Sequence, residues 1–208
     1  MDTEFFLRGL IVGVSIAATV GPIWILTMRR TLEHGFAAGL ACGMGAAVAD
    51  GIYGAVAAFG LGAALALVDA LAPWLALAGG AFLIVLGLRT FARRVEPGDP
   101  QGGTGVEPTL ARGFVTTFLL TMTNPMTILW FAAIFAGLGL AKHHGEFGAG
   151  IATVAGVVLG SAAWWVVLCG GAALAHRRVG PGLMRWINRV SGAVLTAFGV
   201  AAVAAFPR

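Results

Sequence analysis

The sequence predicts an all-α polytopic membrane protein of six transmembrane helices, built as two inverted three-helix repeats with broken first and fourth helices. Three observations carry that prediction: an apolar composition, prolines at matching places in two apolar runs, and arginines gathered on one side. The 208 residues are 59% hydrophobic and only 11% charged, with a mean hydropathy of +0.91. Soluble domains carry about a quarter charged residues. Glycine fills 32 positions, which suits helices whose backbones approach closely.

Apolar windows of about 20 residues place the spans near 5–28, 36–60, 74–91, 113–140, 147–174 and 190–206. The chain opens Met1-Asp2-Thr3-Glu4, acidic where a secretory leader needs basic residues, so the first run reads as a retained span. That span contains Gly21-Pro22. Pro22 cannot donate to the carbonyl of Ala18, and the residue before it is pushed out of helical geometry. One half-helix should end there and a second begin, with proline at its first position.

The apolar run from Phe36 to Val68 is too long for one upright helix and is expected to tilt or to break near Gly60 and Gly62. Residues 92–111, with Glu96-Pro97-Gly98-Asp99-Pro100 and Gly102-Gly103, have linker composition. The reading is one transmembrane domain: repeat one at about 1–91, a cytoplasmic linker at 92–112, and repeat two at about 113–208. The fourth span carries Asn124-Pro125, where Pro125 cannot donate to the carbonyl of Thr121. Asn124 is a good N-cap and Gly21 an acceptable one.

Orientation follows from basic residues. Loops one, three and five hold Arg29, Arg30, Arg89, Arg93, Arg94, Arg112, Arg177, Arg178, Arg185 and Arg189; the other side holds Arg8, Lys142 and Arg208. The richer side is cytoplasmic, so both termini are expected outside. Three spans per half then force the halves into opposite orientations. The repeat is also visible in residues: Gly45, Asp50 and Tyr53 match Gly156, Ser161 and Trp164 in spacing. The net charge of +4 belongs to this orientation signal and implies no nucleic-acid partner; membrane lipid is the expected surrounding.

Each break offers chemistry. A new half-helix presents unpaired N–H groups and a positive dipole end, suited to a carboxylate. The preceding half presents free carbonyls, suited to an ammonium group. Gly21, Pro22, Asn124 and Pro125 are therefore candidate substrate-binding residues, with Thr19 and Thr123 flanking. Thr19, Thr121 and Thr123 can equally hydrogen-bond freed carbonyls or serve packing.

Asp50 is the acidic residue well inside a span, with no Lys, Arg or His sharing the interior. Placing it there costs about 2.5–3.5 kcal/mol on insertion scales. Such a group can take a proton from one side and release it to the other, pair with a substrate ammonium, or hydrogen-bond between helices for structure.

Trp24, Trp130, Trp164 and Trp165 gate or line a cavity, or simply pack; Trp74 and Trp186 sit where interfacial anchors belong. His143-His144 lacks a Cys or carboxylate constellation, so no metal site is expected. Glu33 and His34 follow Arg29-Arg30 and read as a gate or as solvated loop residues. No nucleotide loop, catalytic triad or zinc motif appears, so neither an enzyme nor a cofactor is expected. Cys42 and Cys169 both fall in apolar segments. They imply no disulfide framework, but they raise an alternative: an intramembrane thiol-disulfide electron carrier. By the repeat they are not equivalent.

The run GPIWILTMRRTLEHGFAAGLACGMGAAVADGIYGAVAAFGLG resembles the LysE/RhtB family of amino-acid exporters, as do the later NPMTILWFAAIFAGLG and GVVLGSAAWW. The likeness covers nearly the whole chain and lies in the order and spacing of the motifs. It implies a six-helix inner-membrane exporter of amino acids or related metabolites, driven by the proton gradient, and it maps onto Gly21, Pro22, Asp50, Asn124 and Pro125. Two departures matter: Ile23 follows Gly-Pro, and Met126 follows Asn-Pro, where many members have polar or basic residues. Cargo therefore cannot be copied from the family. Glycine-rich faces permit a homodimer without requiring one.

Overall fold

The computed structural model describes residues 2–59, 62–92, 109–124, 127, 131, 147–176 and 181–204. Among them the fold is wholly helical. Its seven helices are α1 (Asp2–Ala17), α2 (Pro22–His34), α3 (Phe36–Ala58), α4 (Gly62–Phe91), α5 (Leu110–Met122), α6 (Phe147–His176) and α7 (Pro181–Ala204). Helices α3, α6 and α7 are long and apolar enough to cross a membrane, and α1 with α2 form a further span bent by 77°. The apolar part of α4, Leu77–Phe91, and α5 are shorter. Apart from Thr127 and Phe131, the expected continuation of the fourth span, Pro125 included, lies outside the described residues.

The surface is apolar and the interior holds the polar groups, as a lipid solvent demands. Ile11, Val167 and Leu174 are 64%, 68% and 83% exposed, whereas Thr27, Thr117 and Ser161 are fully buried. Trp74 and Trp186 are exposed, as anchors would be.

Several boundaries differ from the sequence reading. Arg29 and Arg30 were expected in a loop but lie on α2, which continues to His34. Gly35, at φ 84°, ends that helix; its N–H reaches the carbonyl of Thr31 while its left-handed backbone turns the chain into α3. Arg185 and Arg189 likewise lie on α7 rather than in a loop, because a proline at the first position lets the helix start at Pro181. Helix α5 starts at Leu110, inside the expected linker, where the Thr109 side chain accepts from the Arg112 N–H. The break expected near Gly60 falls between Ala58 and Gly62, and the third span belongs to the longer α4.

Glycine sets the packing. Gly9 and Gly13 of α1 press on the backbone of α6 at Thr153 and Val157, and Gly156 and Gly160 of α6 press back at Phe6 and Leu10. No Cβ fits at these four positions, so each helix carries a small-xxx-small stripe against the other. Rising numbers meet rising numbers, so α1 and α6 run parallel. Helix α5 runs parallel to α3 in the same manner, Gly113 near Cys42 and Phe114 near Gly45. Helices α3 and α6 are antiparallel: Gly43 meets Trp165, whereas Gly54 meets Val157. So are α4 and α7, with Gly80 on Gly199 and Gly87 on Gly192.

Candidate functional site

The first break is formed as proline chemistry requires. Helix α1 ends at Ala17, where a tight turn bonds the Thr19 N–H to the Ile16 carbonyl, and α2 restarts at Pro22. The first bond of the new helix runs from the Ile25 N–H to the Gly21 carbonyl, and Gly21 supplies no side-chain cap. The N–H groups of Ile23 and Trp24 therefore precede the intrahelical ladder.

At the second break α5 ends at Met122. The Asn124 N–H bonds to the Thr121 carbonyl, and the Asn124 carbonyl accepts from Thr127. Tyr53 of α3 donates a 2.6 Å hydrogen bond to the Met122 carbonyl, covering one freed acceptor. The threonines mostly turn back on their own helices. Thr19 donates to the Ser15 carbonyl, Thr121 to that of Thr117, and Thr123 to those of Leu119 and Leu120.

Asp50 lies between α3 and α6, 3% exposed, and its Oδ2 accepts a 2.8 Å hydrogen bond from Ser161. Both helices approach closely here because Gly51 and Gly54 of α3 leave room for the valines of α6. Asp50 also lines a cavity of about 110 Å³. That cavity gathers Thr19, Gly21 and Pro22 from the first break, Thr121 and Asn124 from the second, and Asp50 between them. Of the predicted site residues that are described, Thr123 stands apart from it. Its hydroxyl is spent on α5 and its side chain packs at Gly79.

Ile16, Ala17, Val20, Ala46, Thr127 and Phe198 also line the cavity and were not proposed from the sequence. Ser161 was seen only as the repeat counterpart of Asp50. That equivalence of spacing was the available signal. Trp24 and Trp165 line the cavity, while Trp164 packs beside them in the same cluster with Ala17 and Ala46. Trp130, His143 and His144 lie outside the described residues.

Glu33 is not a solvated loop residue. It is 9% exposed at the end of α2, 3.7 Å from Arg29, whose guanidinium donates to Thr90 of α4. Cys42 and Cys169 are free thiols, both buried.

A broken helix beside a buried carboxyl, opening on one cavity in an apolar helical body, is transporter architecture. The family model "LysE type translocator" matches residues 14–205. The chain belongs to the LysE type translocator family. As a member of it, the protein is a multi-pass membrane transporter for a small molecule rather than an enzyme. Among similar proteins, "Putative amino acid efflux protein YcgF" of Bacillus subtilis (strain 168) is 27% identical over 198 residues, covering 94% of this chain and 93% of that protein. "Uncharacterized membrane protein YahN" of Escherichia coli (strain K12) is 28% identical over 184 residues, covering 86% and 80%. No solved structure matches the chain. The family match runs through the first break, Asp50 and the second break, so this LysE type translocator carries its cavity within the shared region.

Proposed function

We propose that this translocator exports amino acids or related small metabolites from the cytoplasm across the inner membrane, by alternating access coupled to protons. The observation that carries the reading is the cavity in which both breaks and Asp50 meet. The name of the Bacillus relative, an efflux protein for amino acids, points the same way.

The moving parts are two inverted repeats. The contact pairs support this: the repeat relation carries Gly80 to Gly192 and Gly87 to Gly199, and so exchanges the Gly80–Gly199 contact with the Gly87–Gly192 contact. It likewise exchanges α1 on α6 for α5 on α3, and turns the Asp50–Ser161 bond back on itself. The arginine asymmetry favours termini outside the cell. With the cavity near the two-fold axis, rocking one repeat against the other opens it to alternate sides.

Asp50 is the proton carrier in this scheme. Its carboxyl is fixed on one side by Ser161 and faces the cavity on the other, so a proton or a substrate cation can reach it only through the cavity. The test is counterflow of labelled amino acids in proteoliposomes under an imposed proton gradient. Asp50→Asn is expected to insert normally and to lose proton-driven transport; gradient-driven transport equal to wild type in that variant would remove Asp50 from the mechanism.

A further inference from the structure

The cavity's chemistry narrows its cargo, on the export reading above. Among its described lining residues Asp50 is the single ionisable one. Ile16, Val20, Ile23, Trp24 and Phe198 give it apolar wall. Two donors complement the carboxyl. The first turn of α2 opens on the cavity through Gly21 to Trp24, before its hydrogen-bond ladder begins. Trp165, 2% exposed, lines the cavity and packs in one cluster with Ile23 and Trp24, and its indole N–H has no acceptor. A buried indole donor without a partner is costly and calls for a ligand oxygen.

Space sets the size. At roughly 10–15 Å³ per water-sized group, a cavity of about 110 Å³ accommodates a molecule on the scale of valine or leucine. Indole-bearing side chains exceed it.

We propose that the cavity binds a zwitterionic amino acid with a compact, uncharged, apolar side chain. Its ammonium pairs with Asp50. Its carboxylate takes the α2 amides and the Trp165 indole N–H. Its side chain rests on Ile16, Val20 and Phe198. Proton and ammonium then occupy Asp50 alternately. Among the described lining residues a lysine side chain would bring a second cation with no second carboxylate to meet it, and glutamate a second anion with no cation. Either leaves an unpaired charge in a low-dielectric site, which costs enough to give about tenfold discrimination or more.

The experiment is a counterflow panel with wild-type protein in proteoliposomes: labelled leucine, valine, lysine, glutamate and tryptophan, competed by 3-methylbutylamine and by 4-methyl-2-hydroxypentanoate. Leucine or valine moving at least about tenfold better than lysine and glutamate, with both truncated analogues competing poorly, is the expected result. Lysine or glutamate moving as well as leucine overturns the assigned class and leaves amino-acid export standing. No counterflow of any amino acid overturns the export reading itself. A second measurement uses Phe198→Ala at a wall residue 40% exposed. It is expected to admit tryptophan, and unchanged size selectivity would overturn the placement of the side chain.

Discussion

Ser161 donates a 2.8 Å hydrogen bond to Oδ2 of Asp50 across the seam between antiparallel α3 and α6. The two residues hold the same place in the Gly-x4-Asp/Ser-x2-aromatic triplets of the two halves. On the alternating-access proposal, a bond between repeat counterparts lies on the axis that relates the halves, so it need not break wholly when one half rocks on the other. Ser161→Ala is expected to retain transport at reduced rate, with a stability loss of about 1 kcal/mol. In the double variant with Asp50→Asn, the serine change should add little, because its partner has already lost its charge. Thermal midpoints in detergent and counterflow rates measure both effects.

Gly156 presses on the backbone of α1 between Phe6 and Leu10, whereas nothing lies within 4 Å of the Cβ position of Gly170 on the same helix. Gly156→Val must force α1 and α6 apart, at a cost of about 1–3 kcal/mol or more. Gly170→Val should be nearly neutral. Equal midpoints for the two variants would contradict the close parallel packing of α1 on α6.

Tyr53 covers the Met122 carbonyl at the second break. Tyr53→Phe keeps the ring contact with Phe131 but strands that acceptor, at about 1–3 kcal/mol. The expected readout is a lower thermal midpoint with an unchanged oligomeric profile; an unchanged midpoint would show that another donor satisfies the carbonyl.

Arg29 is 7% exposed, 3.7 Å from Glu33 and bonded to Thr90. Arg29→Ala leaves the Glu33 carboxylate buried beside a lost cation and should cost about 3–5 kcal/mol. Arg29→Lys should recover only part of that, since an ammonium cannot reproduce the guanidinium fork. Thr90→Ala, which removes one hydrogen bond, should cost about 1 kcal/mol.

The buried thiols give a further test. The Cys42→Ser, Cys169→Ser double variant should keep transport, because neither cysteine lines the cavity. Lost counterflow with a normal thermal midpoint would return the thiols to the mechanism.

The breaks and Asp50 were legible in the sequence because each is a local anomaly in an apolar background. Proline removes a donor wherever it stands, and a carboxyl in a hydrophobic run needs a reason. Arg29 misled for the complementary reason. A basic pair followed by Glu33, His34 and Gly35 reads as a loop, yet α2 keeps its turns until Gly35 and buries the arginine against α4. Local polarity cannot reveal that a neighbouring helix will cover it.

The chain's own residues determined that it is helical and membrane-bound, where α1 gives way to α2, and that Asp50 stands well inside an apolar span. Those properties act along the backbone, through hydropathy and proline geometry. Only the assembled helices decided that Ser161 meets Asp50, that Thr121 faces the cavity while Thr123 does not, and that α2 leaves α1 at 77°. Such matters depend on how each helix is rotated about its axis and how near its neighbours come, and glycine-lined contacts between distant segments set both.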